Sequence, residues 1–340
     1  MSRRKPKGRA LSGILLLDKP SGAGSNSALQ QVKYTYCANK AGHTGSLDPL
    51  ATGLLPICFG EATKFSRYLL DADKAYDATI FLGAVSDTAD ADGEVTFVAD
   101  ASHLQYEQIS DVVNSLQGEQ WQTPPMYSAL KHQGQRLYKL ARQGVTVDVP
   151  ERRINVFDIE LLEHRFGVKF AGGVEQGVAS DARCGAEIDI RLTVTKGTYI
   201  RSLAEEIGRL LGVGGYISAL RRTGVASFRI EQAVTLSQLE HCKPTECDRQ
   251  FAIDNQFTQQ PCVFEPLDTR LISISDALPH LPQVTLNEST GFYLLRGNPV
   301  QVPGSPAAGQ VKIMLASGDF AGVGEIDDCG RVAPKRLVAS

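Results

Sequence analysis

No stretch of the 340-residue chain is apolar for long enough to be a signal-peptide core or a membrane span. Behind the basic opening MSRRKPKGRA, the run Ile14 to Leu17 is far too short for either. Export and membrane insertion are therefore not expected, and the cytoplasm is the expected location. The seven cysteines (Cys37, Cys58, Cys184, Cys242, Cys247, Cys262 and Cys329) are odd in number and form no Cys-x-x-Cys pair. That pattern suits a reducing compartment without structural zinc. His241, Cys242 and Cys247 come nearest to a ligand cluster, but no second ligand pair lies close in sequence, so no metal is expected. A basic excess is missing too. Lys and Arg number 35 against 38 Asp and Glu, a formal net charge of −3, so composition gives no sign of a nucleic-acid partner and any such site must be local. Residues 251–340 carry six Lys/Arg against nine Asp/Glu, a difference of −3, which leaves the first 250 residues balanced at 29 against 29. G-x-x-x-x-G-K-[ST], G-x-G-x-x-G and G-x-S-x-G are absent, which removes support for NTPase, nicotinamide and Ser-hydrolase readings. There is no internal repeat and no low-complexity segment.

What is present suggests two or three domains. Gly13 to Leu17 reads as a strand ended by Lys19-Pro20-Ser21-Gly22, and Ser25 or Asn26 as the cap of a helix bearing Ala28, Leu29, Val32 and Tyr36. Ala41 to Gly60 holds four glycines and two prolines and is expected to be largely loop. Helix is expected over Glu61–Leu70, strand over Lys74–Ala84, and a solvated hairpin turn over Asp87–Glu94, whose acidic spacing does not fit a calcium loop. Ile109, Val112, Val113 and Leu116 mark another helix, and Gln122 to Ser128 a rigid loop. Residues 165–185 are Gly-rich and suggest a surface insertion. In Ala186–Val194, Ile188, Ile190, Leu192 and Val194 alternate strictly with polar residues, the period of a half-buried strand. A helix with Leu203, Ile207, Leu210 and Leu211 follows, closed by Gly212. The pattern is α+β: a flexible basic segment over 1–10, a catalytic body over 11–250, and a small β-rich domain over 262–340.

Asp48 lies in the glycine-rich stretch ahead of Pro49, where a held carboxylate can serve as nucleophile or base; the plainer alternative is that Asp-Pro only starts a turn. Arg201 follows the alternating strand and either pairs with a carboxylate or is a surface charge at a helix start. Tyr76 and Tyr199 sit at strand or strand-end positions, where aromatics pack in cores or stack on bases. The clusters Arg3–Arg9, Lys131–Arg142 and Arg221–Arg222 either meet phosphates or are solvated surface charge.

Together these residues resemble the bacterial tRNA pseudouridine-55 synthases, the TruB family. The resemblance rests on Leu16-Leu17-Asp18-Lys19-Pro20, on the run from Ala41 through His43-Thr44-Gly45 and Leu47-Asp48-Pro49 to Gly53, and on Gly60-Glu61-Ala62-Thr63-Lys64. Further matches are Tyr76, Pro124-Pro125-Met126-Tyr127-Ser128-Ala129, Lys196-Gly197-Thr198-Tyr199-Ile200-Arg201, Leu220-Arg221-Arg222, Gly324-Glu325-Ile326 and Arg331-Val332-Ala333-Pro334. It implies a pseudouridine-synthase mixed β-sheet flanked by helices, with a C-terminal PUA-like β-barrel domain that binds RNA. It implies Asp48 as the essential aspartate, Arg201 as its salt-bridge partner, and Tyr76 as the ring stacked on the target uracil. His43, Tyr199 and Leu220 become contacts to the everted nucleotide and Lys19 support for the site; apart from the resemblance, the cationic residues Lys64, Lys131, Arg142, Arg221 and Arg222 are candidate contacts to the RNA backbone. The implied partner is the T arm of tRNA, with no membrane or metal and a monomeric enzyme. The implied reaction needs no cofactor, because isomerising uridine changes neither mass nor oxidation state. Whether Asp48 attacks C1′, adds to the ring or takes a sugar proton stays open. Two rivals remain: an RNA-folding protein with vestigial catalysis, and a glycosidase, which needs a second carboxylate that does not stand out near Asp48.

Overall fold

The alternating residues Ile188, Ile190, Leu192 and Val194 form one buried face of a ten-stranded mixed sheet. The computed structural model describes residues 8–169, 184–254 and 262–338. The body contains strands β1 (Gly13–Lys19), β2 (Ala41–His43), β3 (Thr52–Phe59), β4 (Lys74–Leu82), β5 (Ala84–Ser86), β6 (Val95–Phe97) and β7 (Gly118–Gln122). It continues with β8 (Lys131–His132), β9 (Gln135–Arg136), β10 (Arg152–Lys169), β11 (Cys184–Val194), β12 (Gly215–Val225), β13 (Phe228–Arg229) and β14 (Val234–Thr235). Its helices are α1 (Ser25–Thr35), α2 (Ser66–Leu70), α3 (Tyr106–Ser115), α4 (Leu137–Ala141), α5 (Ile200–Leu210), α6 (Leu236–His241) and α7 (Glu246–Asp254). The sheet runs β14-β1-β3-β12-β4-β11-β10-β7, with β2 added to β3 and β13 to β12. Its pairs are antiparallel except β1 with β14 and β3 with β12.

One face of the sheet packs under α1, α3 and α5 through Val32, Ile109, Val113, Leu203 and Ile207. At β1 and β3 the second face is covered as well, by Phe65, Leu69, Ile274, Leu278 and Val323, so these strands read as continuous apolar runs. Across β4, β11 and β12 the second face is open and carries Asp77, Thr79, Asp189 and Arg191.

Several elements differ from the reading of the sequence. Ala41–Gly60 is mostly strand: β3 is buried along nearly its whole length, and only residues 44–51 form the loop between β2 and β3. Its glycines and proline hid a strand whose two faces are both covered. Ser25 does not cap α1; it is the first helical residue, Gly24 is the cap, and the Ser25 hydroxyl turns to Leu47 instead. Gly60–Lys64 is a 3-10 turn separate from α2. Residues 165–169 and 184–185 continue the ladder of β10 and β11, and the rest of the expected insertion lies outside the described residues, as does most of the basic opening segment.

The C-terminal elements are α8 (Glu265–Asp268), β15 (Gln283–Leu286), α9 (Glu288–Leu294), β16 (Val300–Gln301), β17 (Gly309–Leu315), β18 (Phe320–Ile326) and β19 (Arg331–Leu337). The strands form a second sheet, β15-β17-β18-β19-β16, around its own core of Val284, Leu294, Val311, Ile313 and Val332. This is the expected α+β architecture with a small β domain. The expected boundary at 262 falls inside the body's packing. Phe264 and Leu267 are fully buried in the main core, and Ile272 exchanges backbone hydrogen bonds of 2.8 and 2.9 Å with Ile14. Arg9 ion-pairs with Asp268 and covers the Phe264 ring at 4.1 Å. Phe264→Ala is therefore expected to cost about 3–5 kcal/mol of stability. Urea unfolding checks this, and an unchanged midpoint would show that residues 262–281 are a linker and not core.

Candidate active site

The loop carrying Asp48 is tied down at every turn. Lys19, buried at the end of β1, donates to the carbonyls of Pro20 (2.8 Å), Ala23 (2.6 Å) and Pro49 (3.4 Å). The Ser25 hydroxyl donates to Leu47 O (2.9 Å) and accepts from Leu47 N (2.7 Å). Asp92 accepts from Leu50 N at 3.1 Å. Arg222, fully buried on β12, donates Nη2 to Gly45 O (3.1 Å) and Nε to Leu54 O (2.7 Å). Where the loop enters β3, Gly53 has φ 101°, and a Cβ there would lie 2.3 Å from the Arg222 carbonyl oxygen, so only glycine fits.

Arg201 lies in the first turn of α5, its side chain 6% exposed. Nη2 stands 3.0 Å from Asp48 Oδ2 and donates to Tyr127 O at 2.8 Å. Nη1 stands 3.4 Å from Asp90 Oδ2 and donates to Thr88 O at 2.9 Å. One guanidinium thus bridges two carboxylates. Asp90 is 5% exposed and Asp48 44%, so Asp48 is the member that faces the open side. Burial pushes the Asp48 carboxyl above its ordinary value, Asp90 and Asp92 push the same way, and Arg201 and Lys19 oppose them.

The other residues singled out in the sequence lie on strands of the same sheet or at the start of α5. Tyr76 is buried on β4, opposite Arg222 on β12. His43 ends β2; burial and Arg222 lower its pKa, which favours the neutral ring, and its buried Nδ1 has no hydrogen-bond partner among the described residues. Tyr199 caps α5 and is held by Gln122, which donates to its carbonyl (3.0 Å) and accepts from its N–H (2.8 Å). Arg221 lines a groove of about 610 Å³ on the open sheet face, with Leu50, Thr52, Asp77 and Thr79, and Leu220 borders it while packing against the main core.

The expected backbone contacts separate into two kinds. Lys131 and Arg142 are exposed around the β8–β9 hairpin and α4. Arg221 is partly exposed and held by Asp18 at 2.7 and 3.1 Å. Lys64 is partly exposed and engaged by Glu61 and by Leu337 O. Arg222 is different: its side chain is buried and spent on carbonyls, so it cannot reach a phosphate. The turn Asp87–Glu94 is not merely solvated, since Asp90 inside it is buried. This is the second carboxylate that the sequence did not reveal, and only the pairing of distant segments could have shown it. No group of three or more described His, Cys, Asp or Glu residues is placed to hold a metal ion.

A mixed sheet that sets one partly exposed aspartate against a buried arginine fits the pseudouridylate synthase class to which the family comparisons assign the chain. Residues 33–200 match the TruB family pseudouridylate synthase N-terminal domain, residues 201–271 the tRNA pseudouridylate synthase B C-terminal domain, and residues 282–338 the C-terminal domain of pseudouridine synthase II TruB. The chain belongs to the TruB family. It is 44% identical to tRNA pseudouridine synthase B of Saccharophagus degradans, covering 100% of this chain and 99% of that protein. Identity to the protein of the same name in Vibrio cholerae is 43%, covering 99% of each. A chain of the crystal structure of a Cbf5-Nop10-Gar1 complex superposes with a TM-score of 0.62 at 26% identity, covering 92% of this chain and 78% of that one.

A titration checks the electrostatics. Removing the Asp90 charge removes a repulsion and leaves Arg201 to Asp48 alone, and both changes favour the ionised form. Asp90→Asn is therefore expected to lower the pH at which the Asp48 carboxyl titrates, followed by carbonyl-carbon NMR; an unmoved midpoint would mean that Asp90 does not act on Asp48.

Proposed function

We propose that the protein isomerises one uridine in the TΨC loop of tRNA to pseudouridine, with Asp48 as the essential carboxylate. The observation that carries this reading is the Asp48–Arg201 pair in a chain of the TruB family, with Asp48 the more exposed partner. The reaction breaks the N1–C1′ bond, turns the uracil, and joins C5 to C1′ with loss of the C5 proton. A base stacked in a folded loop must first leave its stack, at a cost of a few kcal/mol that stacking and hydrogen bonds in a pocket offset.

In this reading Arg201 holds Asp48 in place and favours its ionised form against the desolvation that opposes it. Tyr76, on the buried face of β4, offers its ring to the uracil. His43, Tyr199 and Leu220 complete the walls, and Lys19 supports the Asp48 loop through Pro49 O. Lys64, Lys131, Arg142 and Arg221 meet phosphates; Arg222 shapes the loop from beneath. The protein acts as a monomer on a single tRNA, in the cytoplasm.

The test uses tRNA carrying tritium at uridine C5, because joining C5 to C1′ must release that hydrogen. Wild-type protein is expected to release tritium from the T loop. Asp48→Asn, which keeps the volume but is neither nucleophile nor base, is expected to fall below about 10⁻⁴ of the wild-type single-turnover rate while still binding tRNA. Release at a normal rate by the variant would remove Asp48 from the mechanism, and binding without release by the wild type would leave an RNA-folding protein.

A further inference from the structure

Arg152 plays no part in the site as described, yet the structure is built closely around it. It stands on β10 directly opposite Gln122 on β7, so the two side chains leave the same face of the strand pair. They divide Tyr199 between them: Gln122 holds its backbone, and the Arg152 guanidinium lies over its ring with Cζ 4.6 Å from the centroid. Gly197 is fitted to the same group. A Cβ at this residue, whose φ is 81°, would lie 3.2 Å from Arg152 Nη1 and 3.3 Å from Cζ. Among the described residues, Nε and Nη2 of Arg152 are shut off from solvent and have no hydrogen-bond partner.

Those two nitrogens form one edge of the guanidinium, a pair of parallel donors that fits the oxygens of a carboxylate or a phosphate. Leaving such an edge enclosed and unpaired is costly, since each donor has given up water for nothing. The Tyr199 ring closes one side of the guanidinium. Tyr199 is two residues ahead of Arg201, whose Nη2 reaches Asp48, so the ring that Arg152 covers belongs to the segment that leads into the site.

We propose that Arg152 is a further substrate-binding residue, whose Nε/Nη2 edge takes a backbone phosphate of the RNA beside the nucleotide that enters the site. This rests on the RNA-modifying function above and adds a specific contact to it. Access requires the turn after Gln122 or the Arg152 side chain to shift as RNA docks. A water molecule held in that place is the competing occupant, and it would leave RNA affinity independent of Arg152.

The full chain is tested with a T-arm stem-loop and with stem-loops in which one phosphate flanking the target uridine is replaced by a neutral methylphosphonate. Arg152→Ala is expected to weaken binding roughly tenfold and to flatten the slope of log Kd against log salt by about 0.7–0.9, the value of one phosphate. One methylphosphonate position should cost the wild type the same affinity and cost Arg152→Ala nothing more. Arg152→Lys, which keeps the charge but not the paired donors, should recover the slope and only part of the affinity. It also serves as the variant if Arg152→Ala does not fold, as judged by its melting midpoint. Unchanged affinity and slope, even with a reduced rate, would overturn the proposal and reduce Arg152 to a support for Tyr199; so would additive losses. Failure of the wild type to bind and modify the unaltered stem-loop would overturn the function itself, and this contact with it.

Discussion

The Arg201 guanidinium holds the site together, because three separate segments end on it. A buried charge is tolerated only when it is paired and its donors are satisfied. Here the requirement is met by Asp48 from the loop between β2 and β3, Asp90 and Thr88 O from the turn between β5 and β6, and Tyr127 O from the turn after β7. Each of these loops is irregular and has little core of its own. Satisfying one cation fixes all of them at once.

The sheet decides where that cluster opens. β3 pairs in parallel with β12 only at Thr52 and Gly53, immediately after the Asp48 loop. One edge of the loop is thereby set against Leu220 and Arg221. Because the second face of β1 and β3 is covered while that of β4, β11 and β12 is open, the loop stands at the border between packed and accessible sheet.

The periodic elements were legible in the sequence, and the long-range pairings were not. Ile188 to Val194 and the α5 stripe of Leu203 and Ile207 follow a single local period, and both are as expected. β3 was lost because Gly53 and Pro56 imitate loop composition, and a strand covered on both faces shows no alternation. Asp90 is indistinguishable from Asp87 and Asp92 in sequence; the turn that buries it includes Ala89 at φ 62°, a conformation no local pattern announces. Arg221 and Arg222 show the limit most directly. They are adjacent and identical, but successive residues of a strand face opposite ways, so one is exposed beside the groove and the other is sealed under the Asp48 loop. Asp48 and Arg201 were joined by family resemblance alone.

The sealed arginine belongs to a wider pattern. Lys19, Lys74 and Arg222 are all buried in the body, and all three donate to backbone carbonyls. Burial first, and the neighbouring Arg222 second, push Lys74 down to about 8. Carbonyl dipoles can stabilise a buried cation without cancelling its charge, so the positive field stays in the interior. At Asp48 that field is felt through Lys19, on the same side as Arg201 and against Asp90, Asp92 and burial. The Asp48 carboxylate is therefore balanced between opposing influences. Fixed backbone groups hold the cations on one side of that balance, and an anchored, partly exposed loop carries the group they act on.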